Sequence, residues 1–133
     1  MAKLIQKWED IDNEKKAAST QFNVGDFISY NGSGQVVPAT AGDAIVGEIL
    51  EKISSTDDDY ASTRQISFQK VTNQYKFEIP VTIGTATAAM VGSTFDIDTA
   101  NPGSLDVSAP GTQITISKFI SDILVEGYVV LLA

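Results

Sequence analysis

From Gln21 onward the chain is punctuated, with short apolar alternations broken again and again by Gly, Asn, Pro or Asp. Period-two alternation sends successive side chains to opposite faces of a strand, and breaks this frequent leave no room for helices of ordinary length. Asp26-Phe27-Ile28-Ser29-Tyr30 alternates, Asn31-Gly32-Ser33-Gly34 tolerates positive φ, and Gln35-Val36-Val37 resumes until Pro38 stops it, which predicts a hairpin. Asp43 to Leu50 predicts a strand whose Gly47 marks a bulge or a close backbone approach. After a polar loop at Ser54 to Asp59, the stretches Arg64 to Val71 and Tyr75 to Ile79 alternate around a turn at Thr72-Asn73-Gln74. Ala88 to Val91, Thr94 to Ile97, Leu105 to Val107, Gln113 to Ile116 and Gly127 to Leu132 complete the set, with a turn at Asn101-Pro102-Gly103-Ser104. The one helical signal is a single turn over Ser117 to Leu124, where Phe119, Ile120, Ile123 and Leu124 share a face. The expectation is an all-β fold, a compact small barrel or sandwich of short antiparallel strands preceded by an N-terminal arm.

That arm is assigned to residues 1–20 and the β domain to residues 21–133. Leu4, Ile5, Trp8 and Ile11 have helical spacing, but so short a helix is marginal in water without a partner, so an extended arm is preferred over a short helix. Ala17-Ala18-Ser19-Thr20 reads as a linker. The four lysines Lys3, Lys7, Lys15 and Lys16 are matched by Glu9, Asp10, Asp12 and Glu14, so the net charge of −8 belongs to the β domain.

The chain has no histidine and no cysteine, which removes His- and Cys-based triads, thiol chemistry and ordinary zinc sites. A pI near 4.3 opposes phosphate neutralisation, so no nucleic-acid partner is expected. No apolar h-region forms in Met1 to Asp12, and the longest apolar run, Tyr128 to Ala133, falls far short of a membrane span, so a soluble protein with no membrane partner is expected. Asp57-Asp58-Asp59 lacks the spacing of a calcium loop and reads as solvated. Asp96, Asp98 and Asp106 could approach one another across a strand pair, again as surface polar groups. Glu48 and Glu78 interrupt apolar strands, and alternation assigns both to the outer face. Gly32-Ser33-Gly34 fits no phosphate-binding pattern, and Arg64, Lys70 and Lys76 beside Tyr75 and Phe77 belong to an acidic protein. No catalytic residue, metal ligand or cofactor is therefore expected.

Val24-Gly25-Asp26-Phe27-Ile28 is echoed by Val91-Gly92-Ser93-Thr94-Phe95, each followed by a turn and a second apolar stretch. Either two similar hairpins pack face to face, or shared turn chemistry produces the likeness; the second reading is preferred. The succession from Val24 to Ile49, a Gly-Asp-apolar turn, a Gly-rich turn and then Gly42-Asp43-Ala44-Ile45-Val46-Gly47, resembles tailed-bacteriophage capsid decoration (cement) proteins. Barrel-sandwich carriers share such turns, but the lysine that they modify at a tight turn is missing. The resemblance implies a non-enzymatic protein on the outer surface of the virion capsid, whose partners are the major capsid protein and, as a homotrimer, its own copies. Such proteins add an N-terminal arm as a strand to capsid protein. By position, Lys3, Leu4, Ile5, Trp8 and Ile11 would form the capsid-binding arm, with Trp8 as its aromatic anchor. The alternatives are another virion β module (tail, head-completion or fibre-attached) and a carbohydrate-binding adhesion module using Tyr30, Tyr60 and Tyr75.

Overall fold

The computed structural model describes residues 2–4, 11–71 and 75–131. Strand β1 (Lys3–Leu4) is followed by two sets of five: β2 (Ile11–Lys15), β3 (Phe27–Tyr30), β4 (Val36–Pro38), β5 (Gly47–Ile49) and β6 (Gln65–Lys70), then β7 (Lys76–Ile83), β8 (Thr94–Asp98), β9 (Asn101–Asp106), β10 (Ile114–Ser121) and β11 (Leu124–Val129). Among the described residues one 3₁₀ turn is present, at Ala88–Met90, where the sequence predicts a strand over Ala88 to Val91. The second set closes into a barrel in the order β7-β11-β10-β8-β9, with β9 returning to β7 in parallel pairing and β1 added to β7. The first set is ordered β2-β6-β5-β3-β4 and rolls until β2 meets β4 at the parallel bridge between Lys16 and Val36. The all-β expectation holds, with parallel closure added to the antiparallel pairs.

The two sets are one architecture used twice, since each strand in the first order has its counterpart in the same place of the second. Local bonding repeats as well. Gly25 N–H donates to Ile49 O at 3.1 Å and Gly92 N–H to Ile116 O at 2.8 Å. Asp26 N–H reaches Asn23 O at 3.0 Å, as Ser93 N–H reaches Met90 O at 2.9 Å. Both glycines need the left-handed region, with φ of 91° and 88°. Lys16 N–H donates to Arg64 O at 3.0 Å, as Val81 N–H does to Ile123 O at 2.8 Å. The sequence echo therefore marks a structural repeat, and turn chemistry alone does not account for it.

Two further expectations are corrected. The helical turn at Ser117 to Leu124 is instead the end of the β10–β11 hairpin, with a bulge between Phe119 and Ser121. Phe119 packs on the core while Ile120 and Ile123 are exposed, so the apolar spacing never formed one face. The described part of residues 1–20 is extended but not detached: Lys3 and Leu4 pair with Glu78 and Phe77, and Ile11 to Lys15 pair with Gln69 to Gln65. The supposed linker is bonded too, through Ala17 N–H to Val36 O at 3.0 Å and Ser19 N–H to Tyr60 O at 2.9 Å. The turn at Thr72 to Gln74 lies outside the described residues.

Apolar layers fill both barrels. Phe22, Ile28, Val36, Ile49, Ile53, Ile66 and Phe68 pack inside the first, and Phe77, Ile79, Phe95, Ile97, Leu105, Ile114 and Val125 inside the second. Lys16 occupies the first barrel's counterpart of Val81 and is fully buried. Its ammonium donates to Tyr60 O at 2.9 Å and Ser62 O at 2.6 Å, while burial holds its pKa below the usual lysine value. The lysine stem thus serves as core, and its head ties down the loop above. Lys16→Ala is expected to cost about 2–4 kcal/mol by opening a cavity and leaving two carbonyls without a donor, and Lys16→Met about half of that. Urea unfolding of the three proteins measures both losses, and equal losses would show that the stem contributes nothing.

Candidate binding surfaces

The described arm residues do not gather at one place. Lys3 and Leu4 lie on the β7 side of the second barrel, while Ile11 starts β2 of the first and is 56% exposed. Ile5 and Trp8 lie outside the described residues.

The acidic loop is occupied by its own chain. Asp57 Oδ2 accepts the Ser54 N–H at 2.8 Å, and Arg64 bridges Asp59 to Glu51, whose other oxygen accepts the Ser67 N–H at 2.7 Å. The hydrogen bond from Arg64 holds the Asp59 carboxyl below the usual range. Asp96 and Asp106 do face each other across β8 and β9, but their carboxylates are turned to different donors, Thr112 N–H at 2.8 Å and Ser108 N–H at 2.9 Å. Asp98 is held by Asn101 Nδ2 at 2.9 Å and Thr82 Oγ1 at 2.8 Å, and the Asn101 bond leads in lowering its pKa. Among the described residues no group of three potential metal ligands converges.

Glu48 departs most from its sequence reading. Its neighbours Gly47 and Ile49 serve the inside of the first barrel, and Glu48 sits between Phe27 and Gln69 across the sheet. That outer face is covered by the second barrel, where Phe27 meets Phe77 edge to face at 5.2 Å. Glu48 is 8% exposed, and its Oε2 has no hydrogen-bond partner. Desolvation pushes its pKa up to about 8. The signal that would have found it is the apolar flank Ile45-Val46-Gly47 and Ile49, which reads as a strand buried on both faces. Glu78 is half-buried.

A cleft of about 490 Å³ opens at the mouth of the first barrel, away from Lys16. Ile45, Val46 and Phe68 give it apolar walls, and Asp12, Tyr30 and Lys70 stand at its rim. Asp12 and Glu14 lie opposite Phe68 and Ile66, so both share the interior side of β2. Burial, reinforced by the charges of Glu14 and Asp12, raises the Tyr30 phenol pKa. An apolar floor with a few polar groups at its edge suits a ligand or an inserted side chain. Comparison of the sequence with protein-family models and with curated proteins found no match.

Folded Glu48 keeps its proton to about pH 8, whereas an exposed glutamate loses it near 4.5, so the folded state binds the extra proton between those values. Stability must therefore fall as pH rises through that window. Thermal melts from about pH 5 to about pH 8.5 should show wild type losing on the order of a few kcal/mol more than Glu48→Gln. Parallel pH profiles for the two proteins would contradict the assignment.

Proposed function

We propose that the protein is a non-enzymatic decoration protein of tailed-phage heads, which binds the outer capsid surface as a trimer and stabilises neighbouring capsomers. The observation that carries the reading is how the N-terminal segment is used. It enters both barrels from their edges, as β1 on β7 and as β2 at the open end of the first sheet. Strand addition of this kind lets an arm hold a neighbouring protein through backbone hydrogen bonds, with side chains setting the choice of partner. The succession from Val24 to Ile49 that resembles decoration proteins spans the β3–β4 hairpin and β5, the first three strands of the repeated motif after its opening strand. A formal charge of −8 favours solubility at the high concentration that coating a lattice requires.

Purified protein added to expanded, undecorated heads is expected to bind in hundreds of copies per particle, counted by cryo-electron microscopy. Failure to bind any head lattice overturns the reading, and a few copies at one vertex would assign the chain to a connector or fibre. Trp8→Ala should weaken head binding about tenfold or more while leaving the melting temperature of the free protein nearly unchanged.

A further inference from the structure

The two barrels can be compared position by position, because their registers coincide. Asp12 lies opposite Phe68 as Phe77 lies opposite Gly127, and Glu14 opposite Ile66 as Ile79 lies opposite Val125. Tyr30 faces Val36 as Ile97 faces Leu105, and Lys70 faces Gly47 as Val129 faces Ile114. In the second barrel Phe77, Ile79, Ile97 and Val129 are all buried and form one continuous layer. In the first, the same four positions hold Asp12, Glu14, Tyr30 and Lys70, and three of them, Asp12, Tyr30 and Lys70, line the cleft. Phe68 recovers some of the lost volume from the opposite strand, where Gly47 makes room for it. Ile45, Val46 and Phe68 give the cleft an apolar floor.

Among the described residues the side of β2 that faces this gap also has no strand along it. Among the described residues it is joined to β4 only through the bridge at Lys16 and the bond from Ala17 N–H, and the Asn13 N–H is held by the neighbouring Asp12 carboxylate at 2.8 Å. We propose that the cleft receives an extended segment of a partner protein, which pairs along the open side of β2 and inserts an apolar side chain, next to a basic one, into the missing layer. Polarity argues for the basic neighbour: of the charged groups just compared, two are carboxylates and one an ammonium, on a protein of charge −8. The exposed ring of Tyr30 offers the same cation a π face. The coat-binding reading supplies only the partner's source, the capsid protein.

The test uses the full chain and one defined probe, the capped peptide Thr-Val-Lys-Leu-Lys-Val-Thr, followed by NMR. Shifts should concentrate on β2, Tyr30, Val46 and Phe68, with affinity falling about tenfold when both probe lysines become glutamate or when its leucine becomes serine. Asp12→Asn with Glu14→Gln should weaken the lysine probe about fivefold or more and leave the glutamate probe no weaker. Tyr30→Ile with Lys70→Val, which restores the second barrel's layer, should abolish binding and raise the melting temperature, so loss of binding there is not loss of folding. Shifts elsewhere, equal affinity for all probes, or no saturation at about 10 mM overturn the proposal, as does a change in self-association of the restored-layer variant without peptide, which would make a second copy the occupant. Heads that bind wild type and the restored-layer variant alike overturn the cleft and leave the coat reading intact. Peptide binding without head binding does the opposite.

Discussion

Each barrel closes only because its first strand returns beside its third, in parallel, and everything inside depends on that contact. In the second barrel the closure runs through Val81 and Leu105 on to Ile83 and Asp106, between long strands with apolar inner faces. In the first it comes down to Lys16 and Val36. A lysine can stand at this point because its stem fills the space of an apolar side chain while two loop carbonyls accept its head. The loop over Asp57 to Arg64 is thereby fastened from beneath, and its Asp57 and Asp59 carboxylates fasten it from above.

The duplication explains the molecule's least typical features. Two barrels made from one plan must cover each other on a face that each strand pattern marks as outer. Gly103 lies against Gly25, where an added Cβ would come within 2.8 Å of the Gly25 carbonyl oxygen. Gln113, 2% exposed, donates to Thr40 O at 2.8 Å and Asp43 O at 2.7 Å across the junction and accepts the Ile97 N–H at 2.9 Å, so the buried amide is well satisfied. Glu48 is the contrary case, a carboxyl enclosed by the same junction without a donor for one oxygen.

Much of the architecture was legible because alternation and turn chemistry are local. The hairpin at Phe27 to Pro38, the β5 strand and the glycines of the two echoing turns were all readable from neighbours in sequence. Helical spacing at Phe119 to Leu124 misled because one turn's worth of apolar residues fits a bulged hairpin equally well. The placing of Glu48 failed for a different reason: alternation tells which residues share a face, and only the partner layer decides whether that face is wet. The cleft was illegible for the same reason. Asp12, Glu14, Tyr30 and Lys70 are ordinary surface residues until the second barrel shows what their positions hold when filled. Arm residues Lys3, Leu4 and Ile11 could be named as apolar or flanking positions, yet their division between two barrels is a property of pairing over long separations.

The unequal strands of the repeat make the first barrel lean on the second for part of its core. β3, β4 and β5 have four, three and three residues, against five, six and eight in β8, β9 and β10. The half that leaves the ribosome first is thus the half with the shorter middle strands, and its Ala39, Ile45 and Val71 share a core with Phe77, Ile97 and Val129 of the later half. A nascent chain halted after Val71 leaves the outer face at Phe27, Ile45 and Val71 uncovered, so that core is complete only once the C-terminal barrel is present.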